Sequence, residues 1–171
     1  MKSIQVAIKI RNRQNKEELH KYERNLIRKA AKAVLVVVGF QMPCHMDVSI
    51  VDNEMIREMN LQHRSINAAT DVLSFPMAKI LEGIPDEVIG DIDPQSGRLL
   101  LGDIIISLEM AYNKAKTDAL SESEEVALLT VHGTLHLLGF DHADEKAEQR
   151  MILLTANALQ VAGFVELAAD L

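Results

Sequence analysis

The chain has a single cysteine, Cys44, no tryptophan, and only 4% aromatic residues among its 171 positions. One cysteine excludes an internal disulfide framework and is typical of a reducing compartment, so Cys44 is expected to be a small buried apolar residue. The scarcity of aromatic rings argues against an extended stacking platform for bases or sugars. No run of about 18 apolar residues and no signal-peptide pattern is present, so we expect a cytoplasmic protein without membrane contact.

The charge is distributed unevenly along the chain. Lysine and arginine total 18 against 25 aspartate and glutamate residues, and the net charge of −7 argues against a nucleic-acid partner. Residues 1–32 nevertheless carry ten basic side chains against three acidic ones, whereas residues 33–171 have a local charge of −14. Within the basic segment, four side chains recur at helical spacing: Lys21, Arg24, Arg28 and Lys32. Such a stripe is either a track for RNA phosphates or a solvated helix face.

Hydrophobic periodicity predicts four strands and five helices. Strands are predicted over residues 3–10, 47–51, 71–75 and 99–107, the last as a central strand. Helices are predicted over about residues 16–38, 53–62, 108–118, 122–138 and 143–162. Residues 76–98 contain three of the four prolines and are predicted to form a loop or an irregular hairpin. The chain is therefore predicted to be one α+β domain over residues 1–171, with a small mixed sheet of about four strands and its helices packed mainly on one side.

Three of the six histidines, His132, His136 and His142, lie within eleven residues. His132 and His136 are four residues apart, so their rings project from one helix face about one turn apart. Gly139 is expected to end this helix and to let His142 approach from another direction. Three imidazoles without a fourth protein ligand leave an open coordination position, which is typical of a catalytic rather than a structural zinc site.

An isolated histidine is usually a hydrogen-bonded core residue or a surface residue. We interpret His20, His45 and His63 in this way, because none belongs to a cluster of histidines like that at 132–142. The three clustered histidines instead favour a metal site.

The spacing of the clustered histidines is also that of the metzincin proteases. In those enzymes the first histidine is followed by the glutamate that acts as general base. Here Gly133 occupies that position and has no side chain to accept a proton. A protease of that mechanism is disfavoured, and a different base or a substrate phosphate oxygen must accept the proton.

Several segments together resemble the YbeY family of bacterial rRNA-maturation factors and single-strand endoribonucleases. The most specific is His132-Gly-Thr-Leu-His136-Leu-Leu-Gly-Phe-Asp-His142. Further matches are Met-Asn-Leu-Gln-His-Arg at 59–64, Thr-Asp-Val-Leu-Ser-Phe-Pro at 70–76 and Leu-Gly-Asp-Ile-Ile-Ile-Ser at 101–107. The resemblance covers about residues 3–162. Ala68-Ala69 departs from the family pattern, because a proline usually precedes the Thr-Asp pair.

The resemblance implies a zincin-like metal helix in which His132, His136 and His142 bind one Zn²⁺ per chain. It also implies that Arg64 is catalytic. A guanidinium can pair with two non-bridging phosphate oxygens, which suits phosphodiester cleavage, although without the resemblance Arg64 is better interpreted as a surface residue at a helix end. The implied activity is zinc-dependent, single-strand-specific endoribonuclease action in rRNA maturation and ribosome quality control. The implied partners are single-stranded RNA and ribosomal components, and DNA is not expected.

Three aspartates near these motifs receive lesser roles. Asp141 could accept a hydrogen bond from a metal-binding histidine or cap a turn, and the sequence leaves both open. Asp71 and Asp103 are expected to hold loop backbone near the site.

Two other functions remain compatible with the sequence. One is a metal-dependent hydrolase of a small phosphoester or, less favoured, of a peptide. The other is a ribosome-assembly factor whose zinc is mainly structural. The sequence also leaves open whether a metal-activated water or the 2′-OH of the RNA is the nucleophile.

Overall fold

The fold is built on one four-stranded sheet, seen in a computed structural model that describes residues 5–84 and 90–171. Its strands are β1 (Val6–Asn12), β2 (Cys44–Val51), β3 (Val72–Pro76) and β4 (Leu99–Ser107). They lie in the order β1-β2-β4-β3, so β3 is an edge strand. β4 lies inside the sheet, which confirms the prediction of a central strand at 99–107. β1, β2 and β4 are parallel, and β3 runs antiparallel to β4, which makes the sheet mixed.

Six helices accompany the sheet within the described ranges. They are α1 (Lys21–Val38), α2 (Asn53–Arg64), α3 (Leu108–Thr117), α4 (Glu122–Leu137), α5 (Glu145–Val161) and α6 (Val165–Ala169). The predicted α+β class is confirmed. The short helix α6 was not predicted, because a helix of little more than one turn has no periodicity to detect.

Several predicted boundaries differ from those in the structure. α1 begins at Lys21 rather than near residue 16, because Gln14 Oε1 accepts hydrogen bonds from the backbone of Lys16 and Glu17 and holds this stretch as a loop. β2 begins at Cys44, three residues before the predicted start. Of the predicted loop at 76–98, residues 85–89 lie outside the described residues, and the remainder contains two isolated antiparallel bridges.

The two faces of the sheet are covered unequally. Met46, Val48 and Ile50 of β2 face the main core, which the apolar faces of α1, α4 and α5 complete. On the opposite face a smaller core includes Ile105 and is covered by α2 through Ile56. Helices therefore pack mainly on one side, as predicted, and α2 and α4 lie on opposite faces of the sheet.

Cys44 is fully buried in the main core, as predicted for a small apolar residue. Burial raises the pKa of its thiol to about 12, although the charge of Arg98 acts in the opposite direction. The thiol is therefore protonated and unreactive at neutral pH.

The basic N-terminal segment does not form one patch. Side chains alternate along a strand, and Ile8 and Ile10 of β1 pack on the main core, so Lys9 and Arg11 point to the opposite face. Arg11 also pairs with Asp47 at 2.9 Å. The local charge is thus divided between this face and the stripe on α1.

Within the described ranges, no helix is long and apolar enough to cross a membrane.

Candidate active site

Helix α4 carries the first two histidines of the cluster, and its ends are well defined. Ser121 and Glu124 form a reciprocal capping box at its start. Gly139 follows its end with φ of 81°, the left-handed conformation predicted for it. A Cβ on Gly139 would lie 1.8 Å from the carbonyl oxygen of Ile80, so only glycine fits this reversal. The reversal carries His142 back towards α4.

The three clustered histidines meet at the end of α4. The Nε2 atoms of His132 and His136 are 3.0 Å apart. One nitrogen from each of the three rings lies within 4.8 Å of the others. Tetrahedral zinc with bonds of about 2.0–2.1 Å places its ligand nitrogens roughly 3.3 Å apart. The structure therefore brings together His132, His136 and His142 in an arrangement that could bind a metal ion.

The surroundings of His132 and His136 favour neutral rings. Burial, together with the neighbouring His136 and His142, lowers the pKa of His132 to about 4. Burial also lowers the pKa of His136, and His142 acts in the same direction. Neutral imidazoles have a free nitrogen lone pair at pH 7, which a metal requires.

Arg64 lies in the same cleft as the histidine triad. This cleft has a volume of about 470 Å³ and is lined by Arg64, the triad and the β3 residues Val72, Ser74 and Pro76. Arg64 ends α2, which lies on the face of the sheet opposite α4. The cleft therefore crosses the free edge of β3, with the guanidinium on one side and the imidazoles on the other.

The β3 edge presents backbone groups to this cleft. Ser107 N–H donates to the Asp71 carbonyl at 2.9 Å, and Met77 N–H donates to the Leu101 carbonyl at 2.9 Å. In an antiparallel pair such hydrogen-bonded positions alternate, so the odd-numbered residues of this segment bond to β4. The backbone groups of Ser74 and its even-numbered neighbours consequently point to the free edge.

The backbone that positions Arg64 is held although the family proline is absent. Ser65 adopts φ of 59° and its N–H donates to the Leu61 carbonyl at 3.0 Å. The buried Asn60 amide donates to the Ala68 carbonyl at 2.8 Å. This role of Asn60 was not predicted. The only sign of it in the sequence is a polar amide on the inward face of α2.

Gly133 is required by the packing of α4 on the sheet. A Cβ at this position would lie 2.9 Å from Ile104 Cγ2 and 3.2 Å from Ser74 Oγ. A glutamate here would require Ile104 or the helix to shift. The absence of the metzincin general base therefore has a steric cause.

A second polar cluster, also missed in the sequence, lies beside His132. Lys114 Nζ is 3.1 Å from Asp71 Oδ2 and 3.1 Å from Glu125 Oε1. Burial raises the pKa of the fully buried Glu125, and Lys114 opposes that rise. Burial would also raise the pKa of Asp71, but its contacts with Lys114 and Val72 N–H outweigh burial and lower it. The cluster joins α3, α4 and the start of β3.

The structure shows where each of the three aspartates near the motifs lies and what it contacts. Asp71 holds backbone near the site, because its Oδ1 accepts from Val72 N–H at 2.8 Å. Asp141 caps its own turn by accepting from His142 N–H at 2.8 Å. The prediction for Asp103 is wrong: it lies within strand β4, in register with Asp47 of β2, and not in a loop at the cleft.

The remaining histidines lie outside the triad, as predicted. His20 is the N-cap of α1. His45 is 3.3 Å from Asp47, and the ring of His63 packs against Phe75 at a centroid distance of 4.9 Å.

The chain is similar to known proteins over most of its length. The sequence model of the family described as Endoribonuclease YbeY matches residues 9–163. Proteins named Endoribonuclease YbeY from Acetivibrio thermocellus and Caldicellulosiruptor bescii are 39% and 36% identical to it, covering 85% and 92% of this chain and 90% and 98% of their own. A Thermotoga maritima protein solved in solution shares the fold, with a TM-score of 0.53 and 20% identity over 90% of each chain. The chain belongs to the endoribonuclease YbeY family.

Proposed function

We propose that this protein is a zinc-dependent endoribonuclease that hydrolyses phosphodiester bonds of single-stranded RNA. The observation that carries the proposal is the cleft that three imidazoles share with a guanidinium. The names of the relatives support RNA as the substrate. We place its action in the maturation and quality control of rRNA in the cytoplasm, with ribosomal components as partners and without cleavage of DNA.

His132, His136 and His142 would hold one Zn²⁺. Bound zinc supplies Lewis-acid chemistry at the phosphoryl group and lowers the pKa of a coordinated water. Part-burial of His132 and His136 keeps both rings neutral, so they need not lose a proton before they bind the ion.

Arg64 would bind the reacting phosphate from the other side of β3. Its guanidinium can donate to two non-bridging oxygens at once and offset the negative charge that builds on them during cleavage. Because Gly133 excludes the protease-type base, the proton of the nucleophile passes to a substrate phosphate oxygen or to another base. Water and the 2′-OH of the RNA are both compatible nucleophiles.

The His136→Ala variant tests this proposal, with His45→Ala as a matched control outside the cleft. We expect His136→Ala to lose bound zinc and cleavage of single-stranded RNA together, whereas His45→Ala keeps both. A chelator should abolish cleavage by the unmodified protein, and added Zn²⁺ should restore it. Zinc content is measured by elemental analysis and cleavage on labelled single-stranded RNA, duplex RNA and single-stranded DNA.

The same experiment separates the alternatives. Undiminished RNA cleavage by metal-free His136→Ala would contradict the mechanism. Cleavage of a small phosphodiester but of no RNA would favour the hydrolase of another substrate. Zinc that is bound without any hydrolysis would favour the assembly factor.

A further inference from the structure

A second cavity adjoins the cleft on the other side of the histidine rings. It has a volume of about 310 Å³, and His132 and His142 line both it and the cleft. That volume is at the lower end of the roughly 300–1,000 Å³ typical of small-molecule pockets. The cavity is therefore large enough for a single planar ring system beside the position of the reacting phosphate.

Its walls differ in chemistry. Apolar side chains from α4 and α5 form one part: Leu128, Leu129, Met151 and Ile152. Asp71, Lys114, Glu148 and Thr155 provide polar groups. An ammonium has three N–H donors; Lys114 donates to Asp71 Oδ2 and forms an ion pair with Glu125 at 3.1 Å, so its donors are not all used and it can also donate to a ligand.

We infer that this cavity binds the unstacked base of a nucleotide next to the scissile phosphate. Each nucleobase has apolar faces and an edge on which donors and acceptors adjoin. The faces suit the apolar walls, and the edge suits the Asp71 carboxylate and the Lys114 ammonium. This inference rests on the proposed function, because it requires an RNA strand in the cleft.

The inferred base pocket gives a physical reason for selectivity towards single strands. A paired base presents its hydrogen-bonding edge to its partner and is stacked on its neighbours, so it must be extruded before it can enter. The pocket selects weakly between bases, because a carboxylate beside an ammonium can satisfy several donor and acceptor patterns.

Abasic RNA tests the inference without changing the protein. A single abasic nucleotide is placed in turn at each position of a labelled single-stranded oligomer, and kcat/KM is measured at every bond. We expect about a tenfold loss at the bond whose adjacent base is missing, since stacking and burial of a base contribute on this scale. Equal cleavage of intact and abasic oligomers would overturn the inference.

The Ile152→Trp variant tests the same pocket from the side of the protein. Ile152 is 43% exposed, so a larger side chain can be accommodated while it fills the cavity mouth. We expect this variant to lose about tenfold in kcat/KM on intact RNA and to cleave abasic RNA as the unmodified protein does. Leu153→Trp, its exposed neighbour outside the cavity, is the control and should behave as the unmodified protein.

The outcomes distinguish this inference from the proposed function. If the unmodified protein cleaves no RNA, both are overturned. If it cleaves RNA and Ile152→Trp loses activity equally on intact and abasic oligomers, only the base pocket is overturned. Zinc content and thermal unfolding of each variant confirm that the site and fold are intact.

Discussion

Arg64 combines an exposed side chain with a tightly held backbone. It is the last residue of α2, and the left-handed Ser65 and the amide of Asn60 fix the loop that follows. The side chain can therefore reach a phosphate in the cleft while its Cα stays in place. Such an arrangement favours a direct role in the reaction over a role in stability.

Arg64→Gln is expected to lower kcat for RNA cleavage by roughly 10²- to 10³-fold, the usual cost of removing one group that stabilises a developing oxyanion. Arg64→Lys should recover only part of this, because an ammonium cannot pair with two oxygens in the same way. Zinc content should stay unchanged in both. Arg57→Gln, on the same helix but outside the cleft, is the control, and an unchanged kcat for Arg64→Gln would contradict the assigned role.

Gly133→Ala is expected to destabilise the protein by about 1 kcal/mol. Alanine favours a helix over glycine by about 1 kcal/mol, but overpacking a core costs about 1–3 kcal/mol. The clashing atom is Cγ2 of Ile104, whose branched side chain cannot rotate away within the strand. Urea unfolding measures the change, and in an Ile104→Ala background the penalty should disappear. A more stable Gly133→Ala variant would contradict this packing argument.

At the scale of elements, the Lys114 cluster joins three parts of the fold that are distant in sequence. Lys114 belongs to α3, Glu125 to the first turn of α4 and Asp71 to the loop before β3. These parts carry the walls of the cleft and of the inferred base pocket. The Lys114 ammonium is therefore one of the contacts that hold these parts in their relative positions.

Lys114→Met should lower the free energy of unfolding by about 2 kcal/mol at pH 7.5, less than the roughly 3–5 kcal/mol for a fully buried pair, because Lys114 is 41% exposed. The penalty should shrink towards pH 4.5. Glu125, with its raised pKa, is then largely protonated and no longer needs the cation, whereas the stabilisation of Asp71, whose pKa is lowered, persists until the pH falls below its unfolded-state value.

Urea unfolding of the Lys114→Met variant at both pH values measures this dependence. The double variant Lys114→Met/Glu125→Gln should regain stability at pH 7.5, because no buried carboxylate is left without its cation. Lys116→Met, at an exposed position of α3, is the control. A penalty for Lys114→Met that does not vary between these pH values would show that the Glu125 carboxylate is not its source.

The sequence predicted those elements whose signals are local. Periodicity located the first five helices, and the histidine triad was found because its members lie within eleven residues. The position of Arg64 opposite the triad depends on the sheet order, which no local pattern specifies. Glu125 was overlooked because an acid in the first turn of a helix is expected for the helix dipole, and its burial depends on α3.

At the scale of the whole molecule, the net charge of −7 conceals a cationic surface on α1. Lys21 and Lys32 are exposed and Arg24 and Arg28 half-buried, and within residues 5–84 and 90–171 none of the four forms an ion pair. The acidic majority lies elsewhere in the chain. An RNA strand could therefore meet a local positive potential on a molecule that is negative overall.

If the α1 stripe binds RNA, affinity should fall steeply with salt, and each phosphate neutralised on a single strand should contribute about 0.7 to the log–log slope. The double variant Lys21→Gln/Lys32→Gln should then reduce the slope by about 1.4. Lys9→Gln, on the opposite face of the sheet, should leave it unchanged. Binding is measured by fluorescence anisotropy of labelled single-stranded RNA, and a slope equal in all three proteins would exclude the stripe as a phosphate track.

The free edge of β3 also bears on self-association. An open edge strand normally invites another strand to pair with it. Of the outward-facing residues of β3, Pro76 has no N–H and the N–H of Val72 is taken by Asp71 Oδ1, so Ser74 keeps the one free donor of this edge. A second chain would find too few donors to build a ladder. Pairing of β3 with a strand of another copy is thus disfavoured, and the cleft beside this edge is not covered in that way.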